Sequence, residues 1–148
     1  MNWAEFFRLF RMIYEAENIL YLGDPEIVKE LAFLKKNLTL ITPEELKIKA
    51  RKIRYIKENP MNITLEKNKK FDLVINNLPL DIIGSFSVLK NFCENFRKNG
   101  KLLMHLKVQN KLTNYAKRLS KEFLGEMGIK EVGYLKVDNK LYLIGEKV

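Results

Sequence analysis

The feature that most constrains the fold of this chain is a series of short apolar runs separated by segments with helical periodicity. Almost wholly apolar runs are typical of strands that are buried on both faces of a parallel sheet. Strands that alternate with helices predict an α/β fold with a mostly parallel sheet and helices on both faces. The predicted strands cover residues 18–24, 37–42, 53–56, 71–76, 101–106, 131–137 and 140–145.

The segments between these runs carry apolar residues at helical spacing, with caps at their ends. Asp24 is a predicted N-cap with Pro25 at the first helical position, and Asn99-Gly100 is a predicted C-terminal signal. The short connection between the first two strands favours a right-handed crossover between parallel strands. The predicted helices cover residues 3–17, 25–34, 44–52, 81–98 and 112–127.

The two ends of the chain depart from this repeat. Residues 1–17 form a predicted amphipathic helix with an aromatic stripe, which buries its apolar face on the core, on the sheet edge or on a partner protein. The last two strands are joined by Asp138-Asn139, which predicts a tight antiparallel hairpin. We therefore expect a C-terminal antiparallel hairpin beside the parallel strands.

Length and composition favour one domain over residues 1–148, since 47% apolar residues can build one sizeable core. No window approaches a membrane span, and the first residues lack the pattern of a signal peptide. We therefore expect a cytoplasmic protein. Cys93 is the single cysteine and lies among apolar residues, so a buried bystander is favoured over a nucleophile.

The chain is basic, with a net charge of +9 and a pI of about 9.6. Such a charge attracts anions, so RNA, DNA and an acidic protein are all admissible partners. The lysines are spread along the whole chain. A merely solvated basic surface is the alternative interpretation.

Three segments, residues 19–23, 71–75 and 96–103, carry a resemblance to a known family in their order and spacing. Residues 18–148 resemble a class I S-adenosylmethionine-dependent methyltransferase. The resemblance implies a Rossmann-like fold whose seven-stranded sheet ends in a reversed strand. It also implies S-adenosylmethionine as the cofactor and methyl transfer as the activity.

The resemblance assigns cofactor-binding positions to the ends of three strands. Gly23 and Asp24 match the family's glycine-rich turn after the first strand, although this chain has one glycine there, followed by Pro25. Thr42, or alternatively Ile41, stands where the family has an acidic residue for the ribose hydroxyls. Glu44 is either a substitute for that acid or, more simply, an acid favoured at a helix start. Asn76, at the end of the fourth strand, completes the predicted cofactor-binding set.

The segment from Asn76 to Leu80 resembles the Asn-Leu-Pro-aromatic motif of methyltransferases that act on amino groups of nucleobases. The resemblance implies that Asn77 and Pro79 are the catalytic residues, because they orient the methyl acceptor. Leu80 replaces the aromatic residue, which keeps an apolar wall and loses a stacking surface. An ordinary turn rich in Asn and Pro is the structural alternative.

Other chemistry has little support in the sequence. His105 is the single histidine, and the spacing of Cys and His predicts no metal site. Three functions stay open: a methyltransferase that modifies a nitrogen of a nucleic acid or small molecule, an inactive pseudo-methyltransferase that serves as a binding or complex-forming module, and a basic nucleic-acid-binding domain.

Overall fold

The computed structural model describes residues 3–24, 36–46, 52–107, 114–137 and 140–148. Its helices are α1 (Trp3–Glu15), α2 (Ile82–Lys90) and α3 (Asn114–Glu126). Its strands are β1 (Asn18–Gly23), β2 (Asn37–Thr42), β3 (Ile53–Lys57), β4 (Phe71–Asn77), β5 (Phe96–Leu106), β6 (Ile129–Val137) and β7 (Lys140–Lys147).

The strands form one seven-stranded sheet in the order β3-β2-β1-β4-β5-β7-β6. The first five strands are parallel to their neighbours, whereas β7 runs antiparallel to both β5 and β6. This topology confirms the predicted parallel sheet with an antiparallel hairpin. The order reverses between β1 and β4, and the crevice beyond the carboxyl ends of such a strand pair is where α/β proteins bind ligands.

Buried side chains form one cluster on each face of the sheet. On one face, α2 and α3 contribute Phe86 and Leu124 to the larger cluster. On the other face, Ile13 of α1 packs against Tyr21 of β1 and the alternate residues of neighbouring strands. Successive strand residues point to opposite faces, so apolar runs such as β1 supply both clusters.

Helix α1 packs on the sheet with aliphatic side chains, while the two aromatic residues at the C-terminal end of its stripe are exposed. Ile13 is buried and Met12 packs beside it, but Phe10 and Tyr14 are 44% and 61% exposed. The two exposed rings stack on each other with their centroids 5.8 Å apart. The core interpretation of the helix is therefore confirmed for its sheet-facing side.

The predicted helix over residues 81–98 is wrong in its second half. Helix α2 ends at Lys90, and Phe96 already belongs to β5, where it pairs with Phe71. The amide of Asn95 donates hydrogen bonds to the carbonyls of Glu66 and Lys69, both at 2.9 Å. These contacts and the strand pairing would be lost if the helix continued.

Asn99 and Gly100 therefore form an irregularity within β5 and do not end a helix. Asn99 has a positive φ of 66°, and the β4–β5 register shifts at this point. A Cβ on Gly100 would lie 2.8 Å from the carbonyl oxygen of Arg97, so only glycine fits. Asparagine and glycine tolerate left-handed or crowded backbone, which explains why a bulge and a helix end share the same sequence signal.

Some predicted features lie outside the described residues: the helix over residues 25–34, most of the helix over 44–52, and the hairpin loop at 138–139. Residues 43–46, which are described, follow β2 as a bend and irregular chain where a helix start is predicted. Within the described ranges, no helix is long and apolar enough to cross a membrane. The same residues contain no group of three His, Cys, Asp or Glu side chains suited to a metal ion.

Candidate active site

The predicted site residues meet at one edge of the sheet because they end parallel strands. Gly23 of β1 is in register with Asn77 of β4, and Leu22 is in register with Ile41, the residue before Thr42. Parallel strands bring their carboxyl ends to the same edge. The strand order of the sheet reverses between β1 and β4, so their carboxyl ends lie at the switch point.

Gly23 is required by the close approach of β1 to β4. Its φ is +110°, a conformation that residues with a Cβ rarely adopt. A Cβ at this position would lie 2.7 Å from the backbone oxygen of Asn77 and 3.1 Å from Leu78 Cδ2. The glycine thus allows the two strand ends to touch at the switch point.

Asn77 is 6% exposed and its amide is held by two tyrosines. Its Nδ2 donates to the Tyr21 hydroxyl at 2.9 Å, and its Oδ1 accepts from the Tyr142 hydroxyl at 3.3 Å. The Tyr21 hydroxyl in turn donates to the carbonyl of Asp24. After these contacts the amide has capacity for one further donated and one further accepted hydrogen bond.

Asn76 points to the opposite face of the sheet from Asn77. It is fully buried, its Nδ2 donates to the Ser85 carbonyl at 3.1 Å, and its Oδ1 accepts from the Leu78 amide at 3.4 Å. These bonds connect the end of β4 to α2. The side chain of Asn76 therefore stabilises the turn in which the motif lies.

Thr42 and Asp24 differ in how they face the crevice. Thr42 is 1% exposed, and its hydroxyl accepts a hydrogen bond from the Glu44 amide at 3.3 Å. Asp24 is exposed directly after Gly23, and the carboxylate-bearing residues Glu44 and Glu45 are exposed after β2. Exposed carboxylates thus follow the ends of both strands.

The turn after β4 presents an apolar surface. Pro79 is exposed, while Leu78 and Leu80 are half-buried and pack against the core on the α2 face. Helix α2 begins after Asp81, whose side chain accepts a hydrogen bond from the Gly84 amide at 2.7 Å. The N-cap therefore determines where the Leu-Pro-Leu turn ends and the helix begins.

His105 borders the Asn77 cluster from β5. Its ring centroid lies 5.6 Å from that of Tyr142. Partial burial, and then the charges of Lys140 and Lys107, lower the pKa of His105 below its usual value of 6.5, although the nearby Leu78 backbone favours the charged ring. The ring is consequently neutral at physiological pH.

Sequence reasoning missed the two tyrosines and the contact of His105 with Tyr142. Tyr21 lies in an apolar strand and is indistinguishable there from a core residue, and it is separated from Asn77 by 56 positions. Tyr142 is separated from Asn77 by 65 positions. The one available signal is that a fully buried tyrosine needs a partner for its hydroxyl, and the strand-end asparagine is such a partner.

Comparisons with known proteins agree with this architecture. No protein-family model matches the sequence, and no curated protein matches it significantly. The structure superposes on the N-methyltransferase NodS from Bradyrhizobium japonicum WM9 with a TM-score of 0.66 and 15% identity, covering 95% of this chain and 93% of NodS.

Two further solved structures are similar. The Burkholderia thailandensis 1,6-didemethyltoxoflavin-N1-methyltransferase, with bound 1,6-didemethyltoxoflavin and S-adenosylhomocysteine, has a TM-score of 0.68 and 12% identity over 98% of this chain and 76% of that chain. The Methanococcus jannaschii fibrillarin pre-rRNA processing protein has a TM-score of 0.69 and 18% identity over 92% and 68%. The chain therefore has the fold of the class I S-adenosylmethionine-dependent methyltransferases, as its sequence resemblance implied.

Proposed function

We propose that this protein is an S-adenosylmethionine-dependent methyltransferase whose acceptor is a neutral nitrogen of a nucleobase or a small molecule. The observation that carries the proposal is the Asn77 amide, which is buried at the switch point and oriented by Tyr21 and Tyr142. A fixed amide oxygen with a remaining lone pair can accept a hydrogen bond from an N–H of the acceptor. Such a bond would orient the nitrogen lone pair for attack.

The residues at the ends of β1 and β2 fit the cofactor. S-adenosylmethionine has an ammonium group and two ribose hydroxyls, and the exposed carboxylates of Asp24 and Glu44 are strong acceptors for such donors. In this proposal Gly23 borders the cofactor, while Thr42 fixes the turn that carries Glu44 through its hydrogen bond to the Glu44 amide. When bound, S-adenosylmethionine supplies a methyl group activated by a positively charged sulfur.

The surroundings of Asn77 suit an acceptor that approaches from the turn after β4. Pro79 and Leu80 offer an apolar wall on which a flat acceptor can rest, and Asn76 holds this turn against α2. The neutral ring of His105 adds no charge that would repel a sulfonium. The residues of the chain therefore orient the acceptor, and alignment of the two reactants provides the catalysis.

Cofactor binding is tested by isothermal titration with S-adenosylhomocysteine. We expect saturable binding to the unaltered protein, and a loss of about tenfold in affinity for Asp24→Asn and for Glu44→Gln, because each variant removes a charged acceptor. Glu45→Gln is the matched control, since it removes the same charge one position away, where Lys57 lies 3.3 Å from the carboxylate. We expect this control to retain its affinity within about twofold.

An inactive module with the methyltransferase fold is the second candidate, and one observation favours it. Several polar groups of the crevice already pair with one another, since Tyr21 bridges Asn77 and Asp24 and the Thr42 hydroxyl accepts a hydrogen bond from the Glu44 amide. If the unaltered protein gives no heat with S-adenosylhomocysteine at high concentration, the methyltransferase proposal fails and this second function is favoured.

A further inference from the structure

We infer that a cavity at the opposite edge of the sheet binds a phosphate group. The cavity lies between α1 and the amino-terminal parts of β4 and β5, and its volume is about 700 Å³. Its lining includes Arg8, Arg11 and Met12 of α1, Asp72 of β4, and Arg97 and Lys101 of β5. The volume falls within the range of about 300–1,000 Å³ that is usual for ligand sites.

Arginine is concentrated in this cavity. The chain has six arginines, and three of them, Arg8, Arg11 and Arg97, line the cavity, whereas Lys101 is the only lysine within the described residues that does so. The guanidinium group presents planar paired donors that match the oxygens of phosphate, which a lysine ammonium does not. The distribution of arginine therefore points to phosphate more strongly than the net charge of the chain does.

Two of the guanidinium groups are paired with carboxylates, Arg11 in an exposed pair and Arg97 with the partly buried Asp72. Arg11 Nε donates to Glu15 at 2.8 Å, and Arg97 Nη1 donates to Asp72 at 2.9 Å. Each guanidinium has five N–H donors, so both groups keep donors for a ligand after these bonds. The pairing reduces the loss of side-chain freedom that a bound anion would otherwise require.

Asp72 is in turn fixed by the backbone. Its Oδ2 accepts hydrogen bonds from the amides of Glu17 and Asn18 at 3.0 and 2.9 Å, so the carboxylate is anchored where α1 leads into β1. Through Asp72, Arg97 is therefore linked by hydrogen bonds to the segment that connects α1 with β1. The cavity thus lies where α1 joins the sheet, and its three arginines are carried by α1 and β5.

Arg8 is the third arginine of the cavity, and it lies on the side of β6. Its guanidinium lies beside β6, since Arg8 Nη2 would be 3.4 Å from a Cβ added to Gly133, which is an ordinary contact distance. Glu15 and Asp72 are each engaged by an arginine, and Glu17 lies 3.7 Å from Lys36. Lys101 is likewise paired with Glu146 at 2.8 Å. The lining carries four cations and three carboxylates, so its net charge is +1.

The phosphate can come from a free phosphorylated compound or from the backbone of a polynucleotide. We propose to test both with inorganic pyrophosphate and with a short single-stranded RNA, using the full chain. The test variant is Arg8→Gln/Arg11→Gln, since both residues are exposed and their loss leaves Asp72 paired with Arg97. The control Arg118→Gln/Lys121→Gln removes the same charge from exposed positions of α3, on the other face of the sheet.

We expect pyrophosphate to bind saturably and the test variant to lose at least about tenfold in affinity, while the control stays within about twofold. Competition between pyrophosphate and RNA would identify the polynucleotide backbone as the source. Pyrophosphate binding without RNA binding would identify a free phosphorylated compound. Absence of pyrophosphate binding, or equal losses in test and control variants, would overturn the inference.

The inference stands apart from the proposed methyl transfer because the two sites lie at opposite ends of the strands. Binding of S-adenosylhomocysteine to Arg8→Gln/Arg11→Gln is expected to match that of the unaltered protein. Loss of pyrophosphate binding with retained S-adenosylhomocysteine binding would therefore be specific to the arginine cavity. If the titration with S-adenosylhomocysteine fails, the pyrophosphate titration still tests the arginine cavity, because it does not require the cofactor.

Discussion

At the scale of single residues, the candidate site depends on side chains whose contacts are made across long stretches of sequence. Gly23 permits the contact between the ends of β1 and β4, and Asn77 is oriented by Tyr21 and Tyr142. The positions of Gly23 and Asn77 were predictable, since both end apolar strands. The tyrosine contacts were not, because they depend on strand order and register.

Gly23→Ala is expected to destabilise the protein by about 1–3 kcal/mol, since it forces a Cβ into a left-handed conformation against the Asn77 carbonyl. Gly125→Ala is the matched control, because Gly125 lies in α3 with no atom within 4 Å of an added Cβ. This control is expected to stabilise by up to about 1 kcal/mol. Urea unfolding measures both, and equal effects would contradict the close approach of β1 to β4.

Tyr21→Phe is expected to cost about 1–3 kcal/mol of unfolding free energy, because it leaves the Asn77 amide and the Asp24 carbonyl without their shared partner. Tyr115→Phe removes a hydroxyl from a side chain that is 72% exposed, so its effect should stay within about 0.5 kcal/mol. Chemical denaturation of both variants is the measurement. A neutral Tyr21→Phe would show that the network does not hold Asn77.

The lowered pKa of His105 makes stability depend on pH. Because the ring has a pKa of 6.5 when unfolded and a lower one when folded, the unfolded chain binds more protons as the pH falls through 6.5. Stability is thus lost below that pH, until the folded ring also titrates. His105→Gln should flatten the pH dependence of unfolding between about pH 7 and pH 5. An unchanged slope would contradict the burial of this ring beside Tyr142.

At the scale of secondary-structure elements, apolar runs located the strands well. The run at 37–42 is β2 itself, and β4 extends its predicted run by one residue to Asn77. Prediction failed after α2, where helical spacing continued through Phe92 and Phe96 but tertiary contacts ended the helix. Local spacing cannot reveal such contacts, because the hydrogen bonds of Asn95 and the pairing of Phe96 are made with distant residues.

Helix α1 provides a test of how an element attaches to the sheet. Ile13→Ala is expected to cost about 2–4 kcal/mol, since Ile13 is 9% exposed and packs against the sheet. Tyr14→Ala, at the neighbouring and 61% exposed position, should cost less than about 1 kcal/mol. Thermal or denaturant unfolding distinguishes the two, and the reverse order would show that the aromatic side of α1 faces the core.

At the scale of the whole molecule, the sheet order separates two surfaces with different chemistry. The carboxyl ends of β1, β2 and β4 hold the polar cluster around Asn77, and the amino ends of β4 and β5 hold the arginine cavity. The mostly parallel sheet with its C-terminal hairpin follows from the order of apolar runs. The order of the strands in the sheet and the arginine cavity do not, since Arg8, Arg11 and Arg97 are distant in sequence. Packing of α1 on the sheet brings them together.

The proposed function requires that the cofactor binds at the β1–β4 switch point. The most direct measurement is the change in backbone amide chemical shifts in NMR spectra of the labelled protein on addition of S-adenosylhomocysteine. We predict the largest shifts at Gly23, Asp24 and Asn77, with the amides of Arg97 and Lys101 unchanged. Absence of any shift, or shifts confined to the arginine cavity, would contradict binding of the cofactor at the switch point.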